Sequence, residues 1–161
     1  MHRRDLLRFS LGASAFLATA SLIGCAPQTP GEGYLALRDD DLPLLNALIP
    51  VVLAGTAATL KPVLRKLDHA LAALSPEMLK LTRQLFDVLS LPLTRGPLSG
   101  VWVGWESASA EQIEAFLQRW QGSSLNLLRM GHASLLQLLL MAWYACPEAW
   151  PGCGYPGPPR I

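Results

Sequence analysis

Charge is scarce in this chain. Asp, Glu, Lys and Arg make up 16% of its 161 residues, and the formal net charge is +1. A surface that neutralises phosphates needs a basic stripe, so no nucleic-acid partner is expected. Histidine is scarcer still, limited to His2, His69 and His132, and cysteine stops at Cys25, Cys146 and Cys153. The chain has no CxxC, no CxxCH, no His pair at i, i+4 and no Gly-rich loop after a strand. Those absences leave no ligand set for a metal, haem or iron–sulfur cluster and no phosphate cradle, so no metal and no cofactor is expected. His69 sits beside Asp68 on the polar side of its helix, and the carboxylates are spread along polar faces or bunched at 39–41. His132 stands alone. A lone helical histidine is more often a core or surface residue than a base, so no catalytic residue is assigned and the chain is not expected to be an enzyme.

What is plentiful is apolar surface: 51% of the residues are hydrophobic. The first such stretch is N-terminal. Residues 9–24 carry no charge but include Ser10, Ser14, Thr19 and Ser21. This run is too short and too polar for a spanning helix, which needs about 20 mostly apolar residues. A basic head before a modest apolar run reads as an export signal. The pair Arg3-Arg4 resembles the twin-arginine export signal, with His2 where Ser or Thr is usual. Leu22-Ile23-Gly24-Cys25 resembles a bacterial lipobox, in which Cys25 is acylated and becomes the first residue. The other reading is an ordinary amphipathic helix with a buried cysteine. On the export reading, 1–24 is a leader, 25–37 is a Pro- and Gly-rich tether, and 38–161 is a single domain of ordinary size. The product would be periplasmic and held to a bacterial membrane through lipid on Cys25, stably so with two or more acyl chains. Cys146 and Cys153 then remain as an even pair in an oxidising compartment. Either they form a disulfide or they stay as two free thiols that pack as small hydrophobes.

The body reads as all-α, a bundle of four or five helices. Asp39-Asp40-Asp41 before Leu42-Pro43 suits a helix start, and the helix runs to about Leu53 unless Pro50 ends or kinks it. Leu60, Val63, Leu64, Leu67, Leu71 and Leu74 make one apolar stripe. Ser75 caps the next helix with Pro76 in its first position, and the apolar set runs from Met78 through Leu81 and Leu85 to Leu89. Residues 91–107 contain two prolines and three glycines and read as a long loop, with a short extended piece at Val101-Trp102-Val103. Ser109 and Gln112 match a capping box, and Gly122 ends that helix.

The last helix, from Ser123 or Ser124 to about Cys146, is the longest. Its stretch LLQLLLMAWY, 135–144, has Gln137 as its sole amide and no charge. A helix apolar all round has to be buried all round. Either the other helices wrap it or one face docks on a partner. The interface reading assigns Leu136, Leu140, Trp143, Tyr144, Trp150, Tyr155 and Pro156, because aromatic side chains anchor interfaces well. Pro147 and Pro151 end the helix, and beyond them a Pro- and Gly-rich coil tail, GCGYPGPPRI, is expected.

Taken together, the twin-arginine leader, the helical body, Phe116-Leu117-Gln118-Arg119-Trp120, and the ending Pro147-Glu148-Ala149-Trp150…Gly154-Tyr155-Pro156-Gly157-Pro158 resemble the gluconate 2-dehydrogenase subunit 3 family. The likeness is greatest to its periplasmic members that accompany flavin-dependent oxidoreductases of the glucose-methanol-choline type. The resemblance implies a non-catalytic small subunit without flavin. It would bind a large flavoprotein dehydrogenase subunit that lacks its own signal and escort it through the twin-arginine export machinery. Two other classes stay open: a free-standing periplasmic lipoprotein with a structural role, and a redox carrier.

Overall fold

The computed structural model describes residues 29–157. Arg3, Arg4 and Cys25, and with them the export and lipidation readings, lie outside the described residues. Within them every regular element is helical, as expected, but there are more helices than the four or five anticipated. They are α1 (Leu42–Val52), α2 (Leu60–Ala72), α3 (Pro76–Ser90), α4 (Pro92–Ser99), α5 (Ala110–Gln121), α6 (Asn126–Tyr144) and a single turn, α7 (Trp150–Cys153). Short 3-10 turns occupy Asp39–Asp41, Trp105–Ser107 and Pro147–Ala149.

The hub of the bundle is α1, not the last helix. It buries Leu44, Leu45, Leu48 and Ile49 and touches α2, α3, α5, α6 and the turn at Trp105–Ser107. Pro50 neither ends it nor leaves a buried defect. Pro50 and Asn46, whose carbonyl it deprives of a hydrogen bond, both lie on the exposed side, where water can substitute. The α2 stripe behaves as its spacing predicts, with Val63, Leu64, Leu67 and Leu71 buried and Lys61, Arg65 and Lys66 exposed. Ser75 Oγ accepts from the Met78 N–H at 3.3 Å and so caps α3. Ser109 and Gln112 close both halves of their capping box, at 3.3 Å and 3.0 Å.

The expected loop at 91–107 is mostly helix. Pro92 occupies a first-turn position of α4, where a missing N–H costs nothing, and Gly100 ends the helix at φ 81°, a left-handed conformation that suits glycine. Thr94 Oγ1 donates back to the Val88 carbonyl at 2.5 Å, and Ser99 Oγ to that of Arg95 at 2.6 Å, so side chains tie the short helix down. The extended piece does not form: Val101 is buried while Trp102 and Val103 point out. Trp105 is buried, donating from Nε1 to the Leu89 carbonyl at 2.8 Å, and heads a row of rings through Phe116 to Trp120.

The segment 31–37, read from sequence as part of a tether, belongs to the folded body. Ala36 and Leu37 are buried, and the carboxylate of Asp68 accepts the backbone N–H groups of Leu35, Ala36 and Leu37 at 2.8–2.9 Å. This strap is a closed loop, with the Gly31 N–H on the Leu37 carbonyl at 2.8 Å, and Asp68 satisfies the three donors that no helix or ladder takes. It is accordingly buried, not on the polar face where its spacing puts it. Next along the chain, Arg38 is 2% exposed. It donates to Asp41 through Nε at 3.1 Å and Nη2 at 2.7 Å, and Nη2 lies 2.6 Å from Asp87. Burial opposes its charge, but hydrogen bonds to Asp41 and Asp87 outweigh this and raise its pKa. Burial also pushes the Asp87 carboxyl up, against the pull of Arg38, with Asp41 adding like-charge repulsion.

Candidate docking surface

The longest helix, α6, is two-faced. The expectation of a C-terminal helix apolar and buried all round is not supported, and no helix among the described residues is long and apolar enough to cross a membrane. One side of α6 buries Leu135, Leu139, Ala142 and Trp143 against α2 and α5. The helix ends at Tyr144, short of Cys146. The opposite arc exposes Leu127 at 63%, Met130 at 58%, Met141 at 57% and Tyr144 at 54%. Leu140 and Gln137 lie in the same arc. Arg129 is the one formally charged residue of α6, its guanidinium held by the Ser123 carbonyl and Asn126.

The residues expected to bind a partner therefore divide. Leu140, Tyr144, Tyr155 and Pro156 are exposed, while Leu136 and Trp150 are half-buried. Trp143 is a core residue, 6% exposed, because its position on the helix wheel falls with Leu135 and Leu139. The ending is coil only in part: a 3-10 turn and α7 carry Trp150 back onto the end of α6, while residues 155–157 have no regular structure. Its Nε1 donates to the Tyr144 carbonyl at 3.2 Å, and its ring meets Tyr155 edge-on at 5.5 Å. Gly154, at φ 69°, makes the reversal. Tyr144, Trp150, Tyr155 and Pro156 thus form one aromatic end to the α6 arc.

Cys146 and Cys153 are free thiols, so the disulfide alternative is not realised. Cys146 is buried and donates to the Ala142 carbonyl at 3.4 Å. Cys153 is exposed and donates to the Trp150 carbonyl at 3.3 Å. The turns at 147–153 aim the two sulfurs at different carbonyls. Burial pushes the Cys146 thiol up, with Glu148 adding to the effect, so it is a poor nucleophile near neutrality.

A groove that sequence reasoning missed opens beside the α6 arc. Leu81, Leu85 and Val88 of α3 face Leu127, Leu128 and Met130 of α6 around a hollow of about 310 Å³. Trp120 lines it, its indole fixed by a 2.9 Å bond to the Leu98 carbonyl. The close approach needs Gly131: a Cβ there would lie 2.6 Å from the Trp120 ring. Leu81, 59% exposed, faces this groove and Met78, 51% exposed, faces solvent, while Leu79 between them packs against the core. A second hollow of about 380 Å³, between α1 and Trp105, carries Asn46 and Glu106 among its walls and is more polar.

The chemistry available on these surfaces is burial of apolar area. Among the described residues no three His, Cys, Asp or Glu side chains gather where they could hold a metal ion. His69 is exposed, as its spacing predicts. His132 is half-buried, and desolvation pushes its pKa down. No protein-family model, no curated protein and no solved structure matches the chain.

Proposed function

We propose that this protein is a non-catalytic small subunit that binds a flavin-dependent dehydrogenase of the glucose-methanol-choline type and escorts it through the twin-arginine export pathway. The observation that carries the reading is the uncharged, unpartnered arc of α6, from Leu127 to Tyr144, with the Trp150–Tyr155 end beside it. Monomers seldom leave several large apolar side chains on one helix in water, even with Ser134 and Gln137 exposed between them, and aromatic residues set on a rigid turn lose little entropy on docking. The family resemblance of residues 116–158 names the class of partner. Arg3-Arg4 supplies the export label and Cys25 the lipid attachment, which places the assembled complex in the periplasm on a membrane. The substrate pocket belongs to the partner.

The test is a double substitution, Trp150→Ala with Tyr155→Ala, in the native host. The small subunit should still be exported, while the dehydrogenase stays in the cytoplasm and envelope activity is lost. Wild-type dehydrogenase activity in the periplasm of that strain refutes the proposal. A free-standing lipoprotein is the second reading, favoured by the closed core around α1. It requires the envelope fraction to yield this chain alone.

A further inference from the structure

The hollow between α1 and Trp105 has a wall of mixed make-up. Pro43, Val51 and Ile113 give it an apolar lining, and Pro50 stands beside them. Pro50 has no N–H, so the Asn46 carbonyl one turn back lacks its helical donor, and Asn46 lines the hollow too. The side-chain amide of Asn46 has no hydrogen-bond partner among the described residues, which leaves its oxygen available to a ligand. Glu106 adds a carboxylate to the same wall. Its Oε2 lies against Gly104, where a Cβ would come within 2.6 Å of it, and no cation pairs with it among the described residues. The wall thus offers a carbonyl, an amide oxygen and a carboxylate, and holds no charged donor to meet them.

The two stretches that build the hollow, 39–60 and 96–118, contain six carboxylates and no Lys, Arg or His. Several of the six are engaged elsewhere. Asp41 is held by Arg38, Asp39 leans onto Gly31, and Glu111 turns back to Ser109. Asp40 lies on the α3 side of its turn, where Ser90 Oγ donates to its carbonyl. That leaves Glu106 in the wall and Glu114 at the rim, exposed one turn beyond Ala110. Arg119, just past the second stretch, sits over Gly100 and makes no ion pair with Glu106. The starts of α1 and α5 also border the hollow, and a helix start favours anions. Both are already answered, α1 by the acidic turn before it and α5 by Glu111 and its Ser109–Gln112 capping box.

We propose that this hollow takes a lysine side chain of a bound polypeptide, with the butyl stem on Pro43, Val51 and Ile113 and the ammonium on the Asn46 carbonyl and Glu106. An ammonium has three donors and no acceptor, which matches a wall of acceptors. Its flexible stem lies along apolar surface while the head meets charge, whereas a guanidinium is best served by a planar pair of acceptors. A hollow of about 380 Å³ holds such a stem together with water. Glu114 favours a polypeptide over a free amine. It stands at the rim, where only a ligand that continues past the hollow can use it. The site belongs to α1, the turn at Trp105–Ser107 and the start of α5, apart from the α6 arc. It goes beyond the escort function, and neither the dehydrogenase nor export enters its test.

The experiment follows backbone amide signals of the isotope-labelled full chain by magnetic resonance. The probes are a blocked Ala-Ala-Lys-Ala-Ala peptide, its counterpart with norleucine for lysine, and n-butylammonium. Signals of Asn46, Val51 and Glu106 should move with the lysine peptide, which should bind about tenfold tighter than the norleucine one. Glu106→Gln, a change at an exposed site, should weaken the lysine peptide about tenfold. Pro50→Ala supplies the missing N–H, occupies the Asn46 carbonyl and should weaken it about threefold. The remaining signals of both variants should stay in place, which shows the fold intact. Equal binding of the two peptides, or an affinity unchanged in either variant, overturns the proposal. Butylammonium binding as tightly as the lysine peptide overturns it too, since the ligand is then a free amine. Shifts confined to Glu111 and Glu114 would show charge attraction at the rim with the hollow empty, and overturn it equally.

Discussion

Individual polar residues of this protein do work that their local context does not announce. Asp68 follows Lys66 and Leu67 and precedes His69, which reads as a solvated helix face. In the fold it is 4% exposed and holds three backbone donors of the strap. Asp68→Ala should therefore leave those N–H groups without partners and destabilise the protein by about 3 kcal/mol or more in urea denaturation. Asp68→Asn, which keeps one acceptor oxygen, should cost less. The Arg38 cluster follows the same logic. Nothing local marks Arg38 as buried, and Asp87 comes from α3, with no spacing rule to connect it to Arg38 and Asp41. His132 gives a pH prediction. Desolvation holds its folded-state pKa below the ordinary 6.5, so the unfolded chain binds a proton that the folded chain has already shed. Stability should fall as pH drops through 6.5 toward the folded value and then level off. His132→Gln should remove that decline from chemical-denaturation curves measured across the range.

At the level of elements, helix starts were legible and helix surroundings were not. Ser75-Pro76 and Ser109-x-x-Gln112 are local signals whose physics is complete within four residues, and the structure realises both. Ser109→Ala should cost about 1 kcal/mol of stability, read from the urea midpoint. In the stretch 91–107 proline and glycine suggest breakers, but they act as boundaries. Pro92 begins a helix and Gly100 ends one, so the same residues punctuate a short element. Gly131 makes the contrast sharper. Inside a helix, Gly to Ala ordinarily stabilises by about 1 kcal/mol. Here the new methyl would meet Trp120 at 2.6 Å, and that ring is fixed at its nitrogen. Gly131→Ala should destabilise by about 1–3 kcal/mol, with a shift in tryptophan emission. A stabilising result would show that the ring moves freely.

For the whole molecule, the decisive quantity is how much apolar surface the bundle leaves uncovered. The seven helices among the described residues, with α1 as their hub, make a closed core that takes in Phe116, Trp120 and Trp143, yet the α6 arc, the neighbouring groove and the exposed Leu93 and Trp102 stay outside it. The full chain without a partner should bind an oily-surface dye strongly. Leu127→Gln with Met141→Gln should reduce that signal without changing the melting temperature, since both side chains are already in water. Equal dye binding by the two proteins would mean that the α6 arc is not the sticky surface.

The all-helical class, four helix starts and the export-like pattern of residues 1–25 were set by local chemistry: period, caps, charge and punctuation each act over a few residues of chain. The inside of the molecule was decided only by folding. Which face of α6 met water, that Trp143 went inward while Tyr144 stayed out, and that a presumed tether was tied down by Asp68 all depend on contacts between different elements, those of Asp68 spanning 31 to 33 positions. A linear pattern reports that a side chain is apolar or charged. Burial depends on which neighbours arrive, and those come from elsewhere in the chain.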